Sequence, residues 1–147
     1  MDKLAEEGKS LYLLGAKPGV AEQAGAKLAA AHPGLRIAGT HDGYFKEDGP
    51  VVAAIRQSGA DVVFVCLGAP KQEKWMAKNG AATGARLLCG LGGSLDVFAG
   101  VVERAPKFWT DHGLEWFYRL SKEPRRIGRM MKLPLFLIHV KQEKRHR

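Results

Sequence analysis

Four short apolar runs, each closed by a glycine and separated from the next by a helix-length segment, restrict this chain to few folds. Ser10–Leu14 (SLYLL) ends at Gly15, Leu35–Ala38 at Gly39, Asp61–Leu67 (DVVFVCL) at Gly68, and Arg86–Leu91 at Gly92. Between them lie an Ala-rich segment reaching His32 and stopped by Pro33-Gly34, a helical stretch over 50–58, and Pro70–Asn79. The last of these carries proline in its first turn, where a missing N–H is tolerated. Runs that are apolar throughout read as strands buried on both faces. Strand alternating with helix implies a mostly parallel, doubly wound sheet with right-handed crossovers. In such a sheet, ligands sit beyond the carboxyl ends of the strands, where helix N-termini and bare backbone meet phosphate.

The pattern changes from about Ser94. Phe108, Trp109, Trp116, Phe117 and Tyr118 place five of the chain's twelve aromatics within eleven residues. Pro106, Pro124 and Pro134 cut the remainder into short helical pieces. Charge divides the same way. Residues 1–118 hold 13 Lys+Arg and 13 Asp+Glu, whereas residues 119–147 hold 10 Lys+Arg against Glu123 and Glu143, so the formal net charge of +8 lies wholly in the last 29 residues. A basic tail on a neutral body points to a polyanion or an anionic membrane surface. We therefore expect two parts: a ligand-binding α/β domain over 1–118 and a helical appendage over 119–147 that closes the site and touches membrane.

Cys66 and Cys89 each lie near the end of an apolar run, with no CxxC and no nearby histidine pair. They read as free thiols in a reducing compartment. The first ten residues, MDKLAEEGKS, are polar rather than a secretory signal, and no run approaches the roughly 20 apolar residues that span a bilayer. The expected location is cytoplasmic, on the inner face of the cell membrane.

The chemistry-bearing residues cluster behind two glycines. After the third run comes Gly68-Ala69-Pro70-Lys71-Gln72-Glu73, and after the fourth Gly92-Gly93-Ser94-Leu95-Asp96. Gly68, Gly92 and Gly93 let a ligand approach the backbone, and Pro70 and Lys71 open the helix beside it. Gln72 can both donate and accept, which suits a sugar hydroxyl, while Glu73 complements the helix dipole. Asp96 stands where an acid accepts from ribose hydroxyls, or else caps a turn. Gly15-Ala16-Lys17-Pro18-Gly19 is neither GxGxxG nor a Walker A loop and reads first as a structural turn. His41-Asp42 could be a general base with its orienting acid, although neighbours in a loop seldom point together. Arg119, Arg126 and Arg129 fall at spacings of seven and three, one helix face, and guanidinium forks match diphosphate oxygens; the alternative is a solvated basic face. No DxD is present, so the sequence offers no divalent metal bridging a nucleotide diphosphate. Met130–Val140 (MMKLPLFLIHV), bracketed by Arg129 and Lys141, suits an interfacial helix on anionic lipid or a terminal helix docked on the body or a partner subunit.

Together, Gly68-Ala69-Pro70-Lys71-Gln72-Glu73-Lys74-Trp75, Gly92 through Gly100, Arg104-Ala105-Pro106 and Gly113 through Leu120 resemble the WecG/TagA/CpsF glycosyltransferases, glycosyltransferase family 26. The earlier blocks Leu13 through Gly19 and Gly39 through Phe45 fit as well, and the resemblance runs from about residue 10 to 134. It is nearest to the teichoic acid branch. The resemblance implies a Rossmann-like domain and an inverting, metal-independent transfer of N-acetylmannosamine, or a related sugar, from a UDP-sugar. The acceptor it implies is N-acetylglucosamine on undecaprenyl diphosphate, in cell-wall polymer or surface polysaccharide synthesis. It also implies that the UDP-sugar is a substrate and that there is no separate cofactor. It places Gln72 in the catalytic pocket and Asp96 on the nucleotide ribose. Arg119, Arg126 and Arg129 then come from an appendage that closes over the site and stabilises the departing UDP.

Relatives of this kind carry a further N-terminal portion that includes the aspartate proposed as base for the acceptor hydroxyl. This chain resembles their C-terminal part, so slow or absent turnover is expected of it alone. The alternative is a UDP-sugar or lipid-diphosphate binding module, self-associating or forming one half of a two-chain enzyme. A nucleic-acid partner is disfavoured, because the basic residues cluster beside an apolar helix rather than along an aromatic-studded groove.

Overall fold

The computed structural model describes residues 1–102. The elements run α1 (Asp2–Glu6), β1 (Ser10–Gly15), α2 (Val20–Ala31), β2 (Arg36–His41), α3 (Asp48–Ser58), β3 (Val62–Cys66), α4 (Lys71–Thr83), β4 (Leu87–Gly90) and α5 (Ser94–Phe98). The four strands form one parallel sheet in the order β2-β1-β3-β4. The α/β, Rossmann-like fold read from the sequence is what the chain adopts. The expected boundary between residues 118 and 119, and the appendage beyond it, lie outside the described residues.

The central strands are apolar because both of their faces are covered. Leu11 and Leu13 point to one side, with Val20, Ala21, Ala24 and Leu28 of α2 and Leu95 of α5. Tyr12, Leu14, Val63 and Val65 point to the other, with Val51 and Ile55 of α3 and Trp75 of α4. The helices α2, α3 and α4 each bury a stripe at three- and four-residue spacing, as an amphipathic helix must. In α2 that stripe includes Gly25, where a side chain would press within 3.4 Å of Ile37 and 3.5 Å of Leu13, so the helix rides close on the sheet.

Two elements, α4 and β2, run several residues past the ends that the sequence reading gave them. α4 continues past Asn79-Gly80 to Thr83 because Gln72, Trp75, Asn79 and Thr83 keep one buried face in register. Gly84, with φ of 74°, is the residue that ends it. β2 passes through Gly39 to His41: the missing side chain there makes room for the Tyr12 ring, which a Cβ would meet at 2.6 Å. That glycine serves packing, not termination.

At the amino-terminal edge of the sheet, Asp61 ties three strands together. Its carboxylate accepts from the Ser10 amide and hydroxyl, both at 3.0 Å, and its N–H donates to Ser10 Oγ at 3.2 Å. Its carbonyl accepts from the amides of Arg86 and Leu87. The Ser10 hydrogen bonds, helped by Lys9 and Arg86, hold its carboxyl below the ordinary 3.8. A depressed carboxyl stabilises the fold above its unfolded pKa and loses that contribution as pH falls through the folded one. Acidification from about pH 5 downward should therefore lower the melting temperature. Asp61→Asn should melt lower at neutral pH and show a shallower acid slope; parallel slopes for the two proteins would remove Asp61 from the acid response.

Candidate functional site

β1 is followed by a helix on one face of the sheet and β3 by a helix on the other, so the chain diverges between their carboxyl ends. Such a divergence opens the crevice in which doubly wound sheets take ligands. Gly15 and Ala16 lie on one side of it, Cys66 to Gly68 on the other. Gly15 has φ of 136°, and any Cβ there would run into the Cys66 carbonyl. Ala16 is left-handed at φ 61°, a conformation that costs a non-glycine residue about 1–2 kcal/mol. Its N–H donates to the Cys66 carbonyl at 3.4 Å and its carbonyl accepts from the Gly43 amide at 2.9 Å. The turns after β1, β2 and β3 thus meet at one residue. Nothing in the composition of Gly15-Ala16 announced this; only the glycine beside it was a signal.

A second convergence joins the turns after β3 and β4. The Gln72 amide nitrogen of the main chain donates to the Gly68 carbonyl at 2.9 Å. The Gln72 side chain, 6% exposed, accepts from the Gly92 N–H through Oε1 at 2.9 Å and donates to Glu73 Oε1 at 2.9 Å. Asp96, in the first turn of α5, brings Oδ2 to 3.6 Å from where a Cβ on Gly93 would stand. Gly68, Gln72, Gly92, Gly93 and Asp96 are therefore neighbours at the ligand edge. Pro70 caps α4 after a cis Ala69–Pro70 bond, and its carbonyl accepts from Lys74. Cys66 lies close by. Burial, reinforced by the Asp96 charge against opposing hydrogen bonds from the Leu95 and Leu91 backbone, pushes its thiol up to about 11. It is a neutral packing group at physiological pH.

Lys71 turns away from this cluster. Its ammonium donates to the Gly43 carbonyl at 3.0 Å and stands 5.0 Å over the Phe45 ring. Phe45 in turn meets Trp75 and His41 edge-on. Farther along α4, Lys78 reaches Asp48 at 2.8 Å. Lys78, with Asn79 and Trp75 facing the same carboxyl, holds it below its usual range. Trp75 Nε1 and Asn79 Nδ2 stop short of hydrogen-bond geometry there. One face of α4 thereby holds the segment after β2, which carries Tyr44 69% exposed.

The base-and-acid reading of His41-Asp42 does not match the structure. His41 Nδ1 lies 2.9 Å from the Asp42 carbonyl, which can only accept, so that ring nitrogen carries the proton. The Asp42 carboxylate instead accepts from the Tyr44 amide at 2.7 Å, an Asx turn. Arg119, Arg126 and Arg129 lie outside the described residues, as does Met130–Val140. Among the described residues, no helix is long and apolar enough to cross a membrane.

Residues 1–147 match the family described as "Glycosyl transferase WecG/TagA/CpsF family". The match takes in both glycine turns and the Gln72 and Asp96 positions that follow them. This chain belongs to the WecG/TagA/CpsF glycosyltransferase family.

Proposed function

We propose that this glycosyltransferase takes its sugar, N-acetylmannosamine or a close relative, from a UDP-linked donor. We further propose that it passes the sugar, with inversion, to N-acetylglucosamine on undecaprenyl diphosphate in cell-wall or surface polymer synthesis. The observation that carries this reading is the convergence of Gln72 and Asp96 on the Gly92–Gly93 turn, at the carboxyl edge of a doubly wound sheet. In this reading Asp96 accepts from the ribose hydroxyls. Gly68 and Gly93 keep side chains out of the diphosphate's way, and Arg119, Arg126 and Arg129 supply positive charge to the departing UDP. Fixed cations aimed at developing phosphate charge do the work that a bound metal does in other transferases.

The test is transfer of label from UDP-N-acetylmannosamine to a short-chain lipid-diphosphate acceptor, run beside UDP-N-acetylglucosamine and UDP-glucose. Product from the first donor alone supports the assignment; product from another donor only moves it to that sugar. The lipid-linked acceptor places the work at a membrane face, and the basic tail supplies the attraction. Sedimentation with phosphatidylserine vesicles should therefore exceed that with phosphatidylcholine and should weaken above physiological salt. Equal sedimentation with both vesicles would remove the membrane from the reading.

A further inference from the structure

Gln72 is placed to act through the protein rather than on the sugar. Its side chain is 6% exposed, both polar atoms already hold protein partners, and it runs behind the end of β4. A Cβ on Gly90 would stand 2.8 Å from Gln72 Nε2 and 2.9 Å from Met76 Cε, so an alanine there would push the ends of both side chains aside. Its main chain grips Gly68 while its side chain grips Gly92, twenty residues away. The Gly92 N–H consequently faces Gln72 and is not a donor for phosphate.

We propose that Gln72 is a positioning residue: it sets the turn after β4 against the turn after β3, and through that turn places Gly93 and Asp96 for the nucleotide. The inference rests on the UDP-donor reading for its functional half and on contacts within the chain for its structural half. A buried amide suits this task because its oxygen accepts from the Gly92 N–H while its nitrogen donates to Glu73 Oε1 on α4, without a charge to desolvate. Removing it leaves the part-buried Gly92 N–H without its partner, which the turn relieves by shifting.

The experiment combines amide hydrogen exchange at Gly92, read by NMR, with calorimetric UDP binding, for the full chain and three variants. Gln72→Leu should lose Gly92 protection and weaken UDP about tenfold, the equivalent of one buried hydrogen bond. Gly90→Ala, which displaces the amide from behind, should reproduce both losses, and the double variant should be no worse than Gln72→Leu alone. Gln72→Glu keeps an oxygen for the Gly92 N–H and should keep the protection. Unchanged Gly92 exchange in a folded Gln72→Leu protein overturns the proposal, because the amide would then act on ligand directly. Lost protection with unchanged UDP affinity overturns it too, since the turn's position would not matter. Failure of the unaltered chain to bind UDP at all overturns the donor reading instead, and the exchange results still decide the structural half.

Discussion

Gly15→Ala should unfold the protein or leave it barely stable. The residue sits at φ 136°, outside what an L side chain readily adopts, and its α-carbon faces the Cys66 carbonyl with no room for a methyl group. Backbone strain of about 1–3 kcal/mol and overpacking of about 1–3 kcal/mol act together here. The combined loss, about 2–6 kcal/mol, is a large part of a small domain's stability. β1 and β3 pair along their whole length up to this point, so the clash cannot be relieved without parting the two central strands. Chemical denaturation of the variant is the measurement. A midpoint within experimental error of the unaltered protein would mean that β1 and β3 separate more easily at their carboxyl ends than the packing allows. Gly59→Ala is the matched control. It too has positive φ, but a Cβ there meets nothing within 4 Å, so it should show strain alone and a smaller loss.

The second large effect is expected at Asp96. If its carboxylate accepts from the ribose hydroxyls, Asp96→Ala should weaken UDP by about ten- to a hundredfold, the usual range for a charged hydrogen bond. Binding of inorganic pyrophosphate, which has no ribose, should change little. Equal losses for both ligands would take Asp96 off the ribose and make it a support for the turn. Stability is a necessary companion readout. Asp96 also accepts, through its backbone carbonyl, from Val101 and Val102, but substitution of the side chain leaves those bonds in place.

Much of this arrangement was legible before any coordinates. Apolar runs without alternation gave buried parallel strands, since a residue such as Val63 must meet helices while its neighbours meet others on the opposite face. Gly15, Gly68 and Gly92, at the ends of three of the runs, marked the ligand edge. What the sequence could not announce was contact between distant residues. Gln72 and Gly92 are twenty positions apart, and nothing about either predicts that one clamps the other. Lys71 stands in the same motif, and nothing there announces that its ammonium lies over the Phe45 ring and meets the Gly43 carbonyl. Gly39 and Gly80 read as breaks because glycine usually is one; at Gly39, packing against the Tyr12 ring explains the small residue instead, whereas at Gly80 a Cβ would make only ordinary contact with Leu88. The left-handed Ala16 left no trace in the sequence, because alanine is the residue least expected to announce strain.

The most direct measurement is calorimetric titration of the full chain with UDP, in buffer containing EDTA and again with added Mg²⁺ or Mn²⁺. The proposal that Asp96, open glycine turns and the arginines at 119, 126 and 129 serve UDP in place of a metal predicts binding at one site per chain with the same affinity in both buffers. Binding that vanishes in EDTA and returns with the metal would contradict it, and the diphosphate would then have to be held by a cation rather than by these side chains.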